Sequence, residues 1–213
     1  MALQTRTAKA DSPTRLSSLT TTTESRTINA PDTWAELDSR IDEAPADAKI
    51  RGMFLRDAAR LGNSAESAES RYVPFSMYPA RDYMRLLLKT ARARFPNKVP
   101  ACALLELGLR VYPLFASSIA GTAIFAVVNV DFKRLCEVAP RGYSVTLKPG
   151  SAKAAQISDS EATIQLRDVW IFPEIFHAGV WLGAMEATKV RGSIDVTRHS
   201  LSDVDLHLRW QPK

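Results

Sequence analysis

The side chains that could cooperate in proton transfer gather around one short stretch: Asp168, Glu174 and His177. A carboxylate and an imidazole within reach of each other can act as general acid and base, provided that folding closes the distance and a pocket shifts their pKa values. These three are the candidate catalytic residues, and their convergence in one cleft is the condition for that role. His177, with Phe176 and Val180 close by, also fits a histidine of a helix surface or core.

A second candidate site is electrostatic. Arg81, Arg85, Lys89 and Arg92 follow at intervals of four, four and three residues, which puts four cations along one side of a helix, with Lys98 as an extension. Such a row can hold phosphates, an acidic membrane surface or an acidic protein, and a solvated helix face has the same sequence. Nucleic-acid recognition also wants exposed aromatics beside the cations. Tyr83 and Phe95 belong to the apolar side instead, so nucleic acid is not the expected partner.

Chemistry with strict spacing is missing: there is no GxxxxGK[ST] phosphate loop, no GxGxxG after a strand, no HExxH and no GxSxG elbow. The three histidines and two cysteines stand far apart, so neither a metal nor a cofactor is expected. Cys102 and Cys136 lie in apolar helical contexts and read as free thiols packed as small apolar groups. Trp170, Trp181 and Trp210 fall at element boundaries or inward strand positions, where large aromatics stabilise a core.

The elements that must position these residues are legible from apolar spacing. A cap at Pro31 to Thr33 precedes a helix through Trp34, Leu37 and Ile41, which Pro45 ends. A second helix takes Ile50, Met53, Phe54, Ala58 and Leu61, with Gly62 as a left-handed cap, and Asn63 to Ser70 form a polar loop. Pro79 sits in the first turn of a helix whose apolar side is Tyr83, Met84, Leu87, Leu88, Ala91 and Phe95. Pro100 opens another, kinked or divided at Pro113, and a further helix carries Ile124, Val128, Phe132 and Leu135 to an end near Pro140.

From Tyr143 the period changes. Tyr143, Val145 and Leu147 alternate as a strand, a second strand covers Ala155 to Ser158, and a third turns Ala162, Ile164 and Leu166 inward, together an antiparallel meander. Pro173 starts one long helix in which Gly179, Gly183 and Ala187 form a small-residue stripe for close approach of another backbone. A C-terminal β-hairpin follows, with Ile194 facing Leu208 and Val196 facing Leu206. That register sets Asp195 opposite His207 and Thr197 opposite Asp205, giving His207 a carboxylate neighbour on the outer face. The fold class is α+β: a helical N-terminal half, an antiparallel meander, one long helix and the hairpin.

With 213 residues, 46% of them hydrophobic, the chain can bury a core without disulfide or metal staples. Residues 1–30 read as a disordered tail and 31–213 as a single domain. Met1 to Thr27 holds only scattered leucines, without the apolar stretch of a secretory signal, and a cytoplasmic location is expected. Val111 to Val130 is uncharged and about long enough to cross a bilayer, but Pro113, Ser117, Ser118, Gly121, Thr122 and Asn129 make it a bend between buried helices. The net charge of +5 is mild, and four basic against two acidic residues in the tail account for part of it.

Four stretches carry a resemblance: Arg51 to Asp57 (RGMFLRD), Tyr78 to Met84 (YPARDYM), Asp168 to Pro173 (DVWIFP) and Arg198 to Asp203 (RHSLSD). In this order they resemble an uncharacterised domain-of-unknown-function family of bacteria, expanded in myxobacteria, over about residues 46–211. The order of elements, with a helix from Pro173 and a final hairpin, is more distantly similar to four-vinyl-reductase-type, haem-nitric-oxide-binding and TRAPP-type domains. That likeness implies an interior pocket for a small or lipid-like ligand. The haem-binding relatives use a Tyr-x-Ser-x-Arg signature and a proximal histidine; the signature is absent here, and His177 reads as a core or surface histidine rather than an axial ligand. The expected function is a non-catalytic regulatory module that binds a small or lipid-like ligand or a protein partner, with a homo-oligomer as one form of partner. An enzyme with its site near the start of the last helix, or an anion-binding basic helix face, are the alternatives.

Overall fold

The computed structural model describes residues 31, 33–62, 71–117, 122 and 131–211. The expected tail, the loop at Asn63 to Ser70 and most of the bend after Ser117 lie outside the described residues. The first helix, α1 (Trp34–Glu43), is capped by Thr33, whose hydroxyl accepts the Glu36 amide at 3.2 Å, and it buries Leu37 and Ile41. Strand β1 (Lys49–Arg51) then leads directly into α2 (Gly52–Leu61). Ile50, expected to open that helix, is instead the centre of β1. It pairs with Tyr78 of β2 (Met77–Pro79) on one side and with Leu147 of β3 (Leu147–Lys148) on the other. One buried residue carries no period of its own, so helix and strand claim it equally in the sequence. Gly62 ends α2 at φ −88°, not in the left-handed region expected. Closeness is what favours glycine there, since a Cβ would lie 2.9 Å from Thr90 Oγ1.

Helix α3 (Ala80–Arg94) starts just after Pro79 and buries Tyr83, Met84, Leu87, Leu88 and Ala91, the apolar side read from the sequence. Helix α4 (Pro100–Ser117) runs through Pro113. Helix α5 (Phe132–Thr146) passes Pro140, the expected end, and continues to Thr146, so Tyr143 and Val145 are helical rather than part of a strand. A mid-helix proline costs about 3 kcal/mol through a lost hydrogen bond and a clash with the preceding turn. The burial of Phe132, Leu135, Cys136 and Pro140 itself works against that cost.

Beyond β3 come β4 (Ser151–Ala155), earlier than the expected Ala155 to Ser158, and β5 (Glu161–Arg167), whose Ala162, Ile164 and Leu166 point inward as alternation requires. A π-helical turn (Pro173–His177) leads into α6 (Ala178–Ala187), followed by β6 (Gly192–Arg198) and β7 (Val204–Trp210). The larger sheet has the antiparallel order β4-β5-β7-β6, and the smaller one β2-β1-β3. The first strand of the expected meander thus pairs with β1 instead of β4. The hairpin register is as read: Ile194 faces Leu208, Val196 faces Leu206, Asp195 faces His207 and Thr197 faces Asp205. The protein is α+β.

Among the described elements, helices α4 and α6 make the most extensive contact. Gly108 of α4 meets the Phe176 carbonyl, while Gly179 and Gly183 of α6 meet the carbonyls of Leu105 and Leu109, and a Cβ added at the three would stand 2.2, 2.1 and 2.3 Å from them. The two glycines of the expected stripe therefore form a backbone-to-backbone seam, whereas Ala187, its third member, is exposed at the end of α6 and outside it. Helix α5 covers part of the larger sheet, and Phe132 at its start packs edge-on against Trp210 at 5.0 Å between ring centres.

Candidate functional site

A cavity of about 90 Å³ lies where the helices and the small sheet meet. Tyr83 of α3 and Val111 and Tyr112 of α4 form one side; Leu135, Ala139, Tyr143 and Thr146 of α5 form another. Phe176 and His177 of the π turn, with Val180, Trp181 and Ala184 of α6, close it, and Ile50 and Leu147 of the small sheet sit at its end. The α4–α6 glycine seam fixes the spacing of two of these walls.

The wall is apolar apart from a few hydroxyl and ring nitrogen atoms. His177 is 8% exposed. Its Nδ1 lies 3.0 Å from the Tyr143 hydroxyl, and its Nε2 is buried without a partner. Burial alone drives the His177 pKa down to about 3, so the ring is neutral at ordinary pH. Burial pushes the Tyr143 phenol well above its usual range, against a smaller opposing effect of the Trp181 indole. The Trp181 nitrogen makes no hydrogen bond of normal geometry, so it lies beside the Tyr143 oxygen without bonding it. The Tyr83 hydroxyl is also buried and unpartnered, and burial first, then the nearby Asp57 carboxylate, holds its proton on. All five residues of the π turn before α6, Glu174 and His177 among them, are buried, and such turns recur at functional sites. Phe172, just before the turn, sits at φ 45°, a conformation costly for a bulky residue, and it is fully buried.

The structure separates the three candidate catalytic residues. Asp168 is exposed, and its amide donates to Asp203 Oδ1 at 2.9 Å. Glu174 is buried in an ion pair with Arg40 and stands 3.4 Å from Arg198. His177 alone lines the cavity. The cationic row is similarly engaged: Arg81 donates to the carbonyls of Asp42 and Ala44, Arg85 pairs with Asp82 at 3.2 Å, and Arg92 pairs with Asp38 while covering the Trp34 ring. Lys89 is exposed, and Lys98 pairs with Glu106 at 2.8 Å. Arg81 and Arg92 thus fasten α3 to the α1 segment.

His207 does face Asp195 in register, but its ring nitrogens reach Thr163 and Thr197 at 3.1 and 3.2 Å, while Asp195 pairs with Arg209. Cys102 and Cys136 are free, and burial pushes the Cys136 thiol up to about 12. No group of metal-ligating side chains occurs among the described residues, and none of their helices is long and apolar enough to cross a membrane.

Tyr143 is the site residue that sequence reading misses, because its alternation with Val145 and Leu147 reads as a strand. The helical signal is present too: Leu135, Ala139, Tyr143 and Thr146 recur at intervals of four, four and three.

The fold is that of the H-NOX domains. The unliganded Fe(II) H-NOX protein of K. algicida superposes with a TM-score of 0.56 at 11% identity, covering 77% of this chain and 98% of that one. An Fe(II)NO H-NOX protein of S. oneidensis gives 0.56 at 12% identity over 76% and 99%. An oxygen-binding H-NOX domain related to soluble guanylate cyclases gives 0.56 at 11% over 75% and 92%. At these identities the likeness is one of fold. By sequence, the chain belongs to the family described as "Protein of unknown function (DUF2378)", whose model matches residues 46–211. No curated protein matches it.

The residues present do not fit the haem group that such a fold brings to mind. A neutral histidine is an acceptable axial donor. The cavity of about 90 Å³, however, falls well short of the roughly 300 Å³ at which ordinary ligand pockets begin, and among the described residues no lysine or arginine lines it to pair with propionates.

Proposed function

We propose that this chain is a non-catalytic regulatory module whose ligand is a small, mostly apolar molecule, or the end of a larger one, held in the cavity between α3, α4, α5 and α6. The observation that carries the reading is the partly open, apolar cavity with one neutral, buried histidine whose second ring nitrogen has no partner. A packed core has few voids, and a buried polar atom without a partner costs about 1–3 kcal/mol, so the combination is a standing demand for a ligand. The dispersal of Asp168, Glu174 and His177 supports binding over catalysis, because the two carboxylates do not meet His177 in its cleft.

Native mass spectrometry of the full chain, purified gently from its own host, tests this. A retained small molecule is expected, lost when Ala139→Phe fills the cavity. A uniformly ligand-free wild-type mass counts against the reading.

A further inference from the structure

The Tyr143–His177 pair decides what His177 can offer a molecule in the cavity. The two groups share one contact, 3.0 Å between the phenol oxygen and Nδ1. A neutral imidazole carries one N–H and one acceptor nitrogen, and a phenol carries one proton. If Nδ1 held the ring proton and gave it to the phenol oxygen, two groups would go without partners in an apolar wall: the phenol O–H and the Nε2 lone pair. If the phenol gives its proton to Nδ1, a single group is left over, the Nε2–H. An unsatisfied buried polar group keeps its full desolvation cost, so the arrangement that strands one group wins over the one that strands two.

We infer that His177 presents Nε2–H as a hydrogen-bond donor to the ligand, and that the ligand is a neutral, apolar molecule bearing a hydrogen-bond acceptor of the carbonyl type. The inference rests on the cavity reading above and deepens it. A carboxylate is disfavoured, because no cation among the described residues lines the cavity to offset its desolvation. A plain hydrocarbon leaves the Nε2–H unsatisfied.

Two measurements on the full chain decide it. Long-range nitrogen–proton NMR on the wild-type protein reads the tautomer directly: a protonated Nε2 with an acceptor Nδ1 is expected, and an Nδ1–H tautomer overturns the inference. The second compares cyclopentanone with methylenecyclopentane, probes of the same shape that differ in having C=O or C=CH₂, by NMR titration. The ketone should shift the His177 Nε2 resonance. The ratio of ketone to alkene affinity should fall about tenfold in the Tyr143→Phe/His177→Phe double variant. That variant removes both polar partners at nearly constant shape, a change that is often close to neutral for folding. An unchanged ratio overturns the role of His177 while the cavity reading stands. Failure of both probes to enter the wild-type protein overturns the cavity reading and the inference with it.

Discussion

Glu174 sits three residues before His177 on the same π turn, and its Oε1 meets both Arg40 from α1 and Arg198 from β6, while Oε2 is buried without a partner. The side chains of Arg40 and Glu174 are 9% and 6% exposed, so this is a buried pair and not a surface contact. Its structural consequence is to clamp the turn that presents His177 between the first helix and the sheet. Breaking a buried pair from one side strands a charge and typically costs about 3–5 kcal/mol, whereas replacing both partners with apolar groups is often nearly neutral. Arg40→Met is therefore expected to lower urea-unfolding stability by about 3 kcal/mol, less what Arg198 recovers by moving closer, with an unchanged m value. Adding Glu174→Met should restore most of the loss, because Arg198 reaches solvent. A cost under about 0.5 kcal/mol for the single change would show that the pair behaves as an exposed one. In the sequence, Glu174 is legible only as an acid near a histidine. Its partner Arg40 is 134 residues away, and no local pattern announces a contact at that separation.

At the scale of elements, the α4–α6 seam controls the cavity, since Val111 and Tyr112 come from one helix and Val180, Trp181 and Ala184 from the other. The glycines let two backbones approach until their carbonyls occupy the space of the missing methyl groups. Gly183→Ala would put a Cβ 2.3 Å from the Leu109 carbonyl, against backbone that has no alternative rotamer. Overpacking of this kind costs about 1–3 kcal/mol. The expected outcome is a loss of that size in chemical unfolding, with weakened cyclopentanone binding as the two walls part. Unchanged stability would mean that the helices are free to slide. The glycine stripe is legible because its four-residue spacing is a property of the helix itself. The end of α5 is not. Pro140 is a strong local stop signal, and the alternation at Tyr143, Val145 and Leu147 mimics a strand, yet burial of the helix face overrides both. That single ambiguity hides the hydrogen-bond partner of His177. The hairpin register, by contrast, follows from alternation alone, because slipping by one residue would turn Ile194, Val196, Leu206 and Leu208 to the solvent.

At the scale of the whole molecule, two buried titrating groups set opposing pH dependences. Asp57 of α2 is 5% exposed, and burial raises its pKa to about 6 despite the lowering influence of Arg60 and Arg56; the Tyr83 hydroxyl lies near it. Its folded pKa exceeds the unfolded value of 3.8, so its contribution is full below about pH 4 and is lost as pH rises to about 6. His177, facing Tyr143, has a folded pKa of about 3 against 6.5 unfolded. Its neutral burial costs nothing above pH 6.5, and stability is lost on acidification toward pH 3, as the unfolded chain takes up the proton first. Burial would raise Asp205, but hydrogen bonds from Arg167 and His199 outweigh it and lower its pKa, so its contribution is lost mainly below about pH 4. Between pH 6 and 4 the slopes from Asp57 and His177 run in opposite directions, each up to about 1.4 kcal/mol per pH unit, and nearly offset. Urea midpoints taken across that window should therefore stay nearly level for the wild-type protein. They should fall toward pH 4 in Asp57→Asn, which retains only the histidine slope, and rise toward pH 4 in the Tyr143→Phe/His177→Phe variant, which retains only the aspartate slope. If both variants follow the wild-type profile, neither group is buried as tightly as its surroundings require, and the neutral histidine on which the cavity chemistry depends is lost with it.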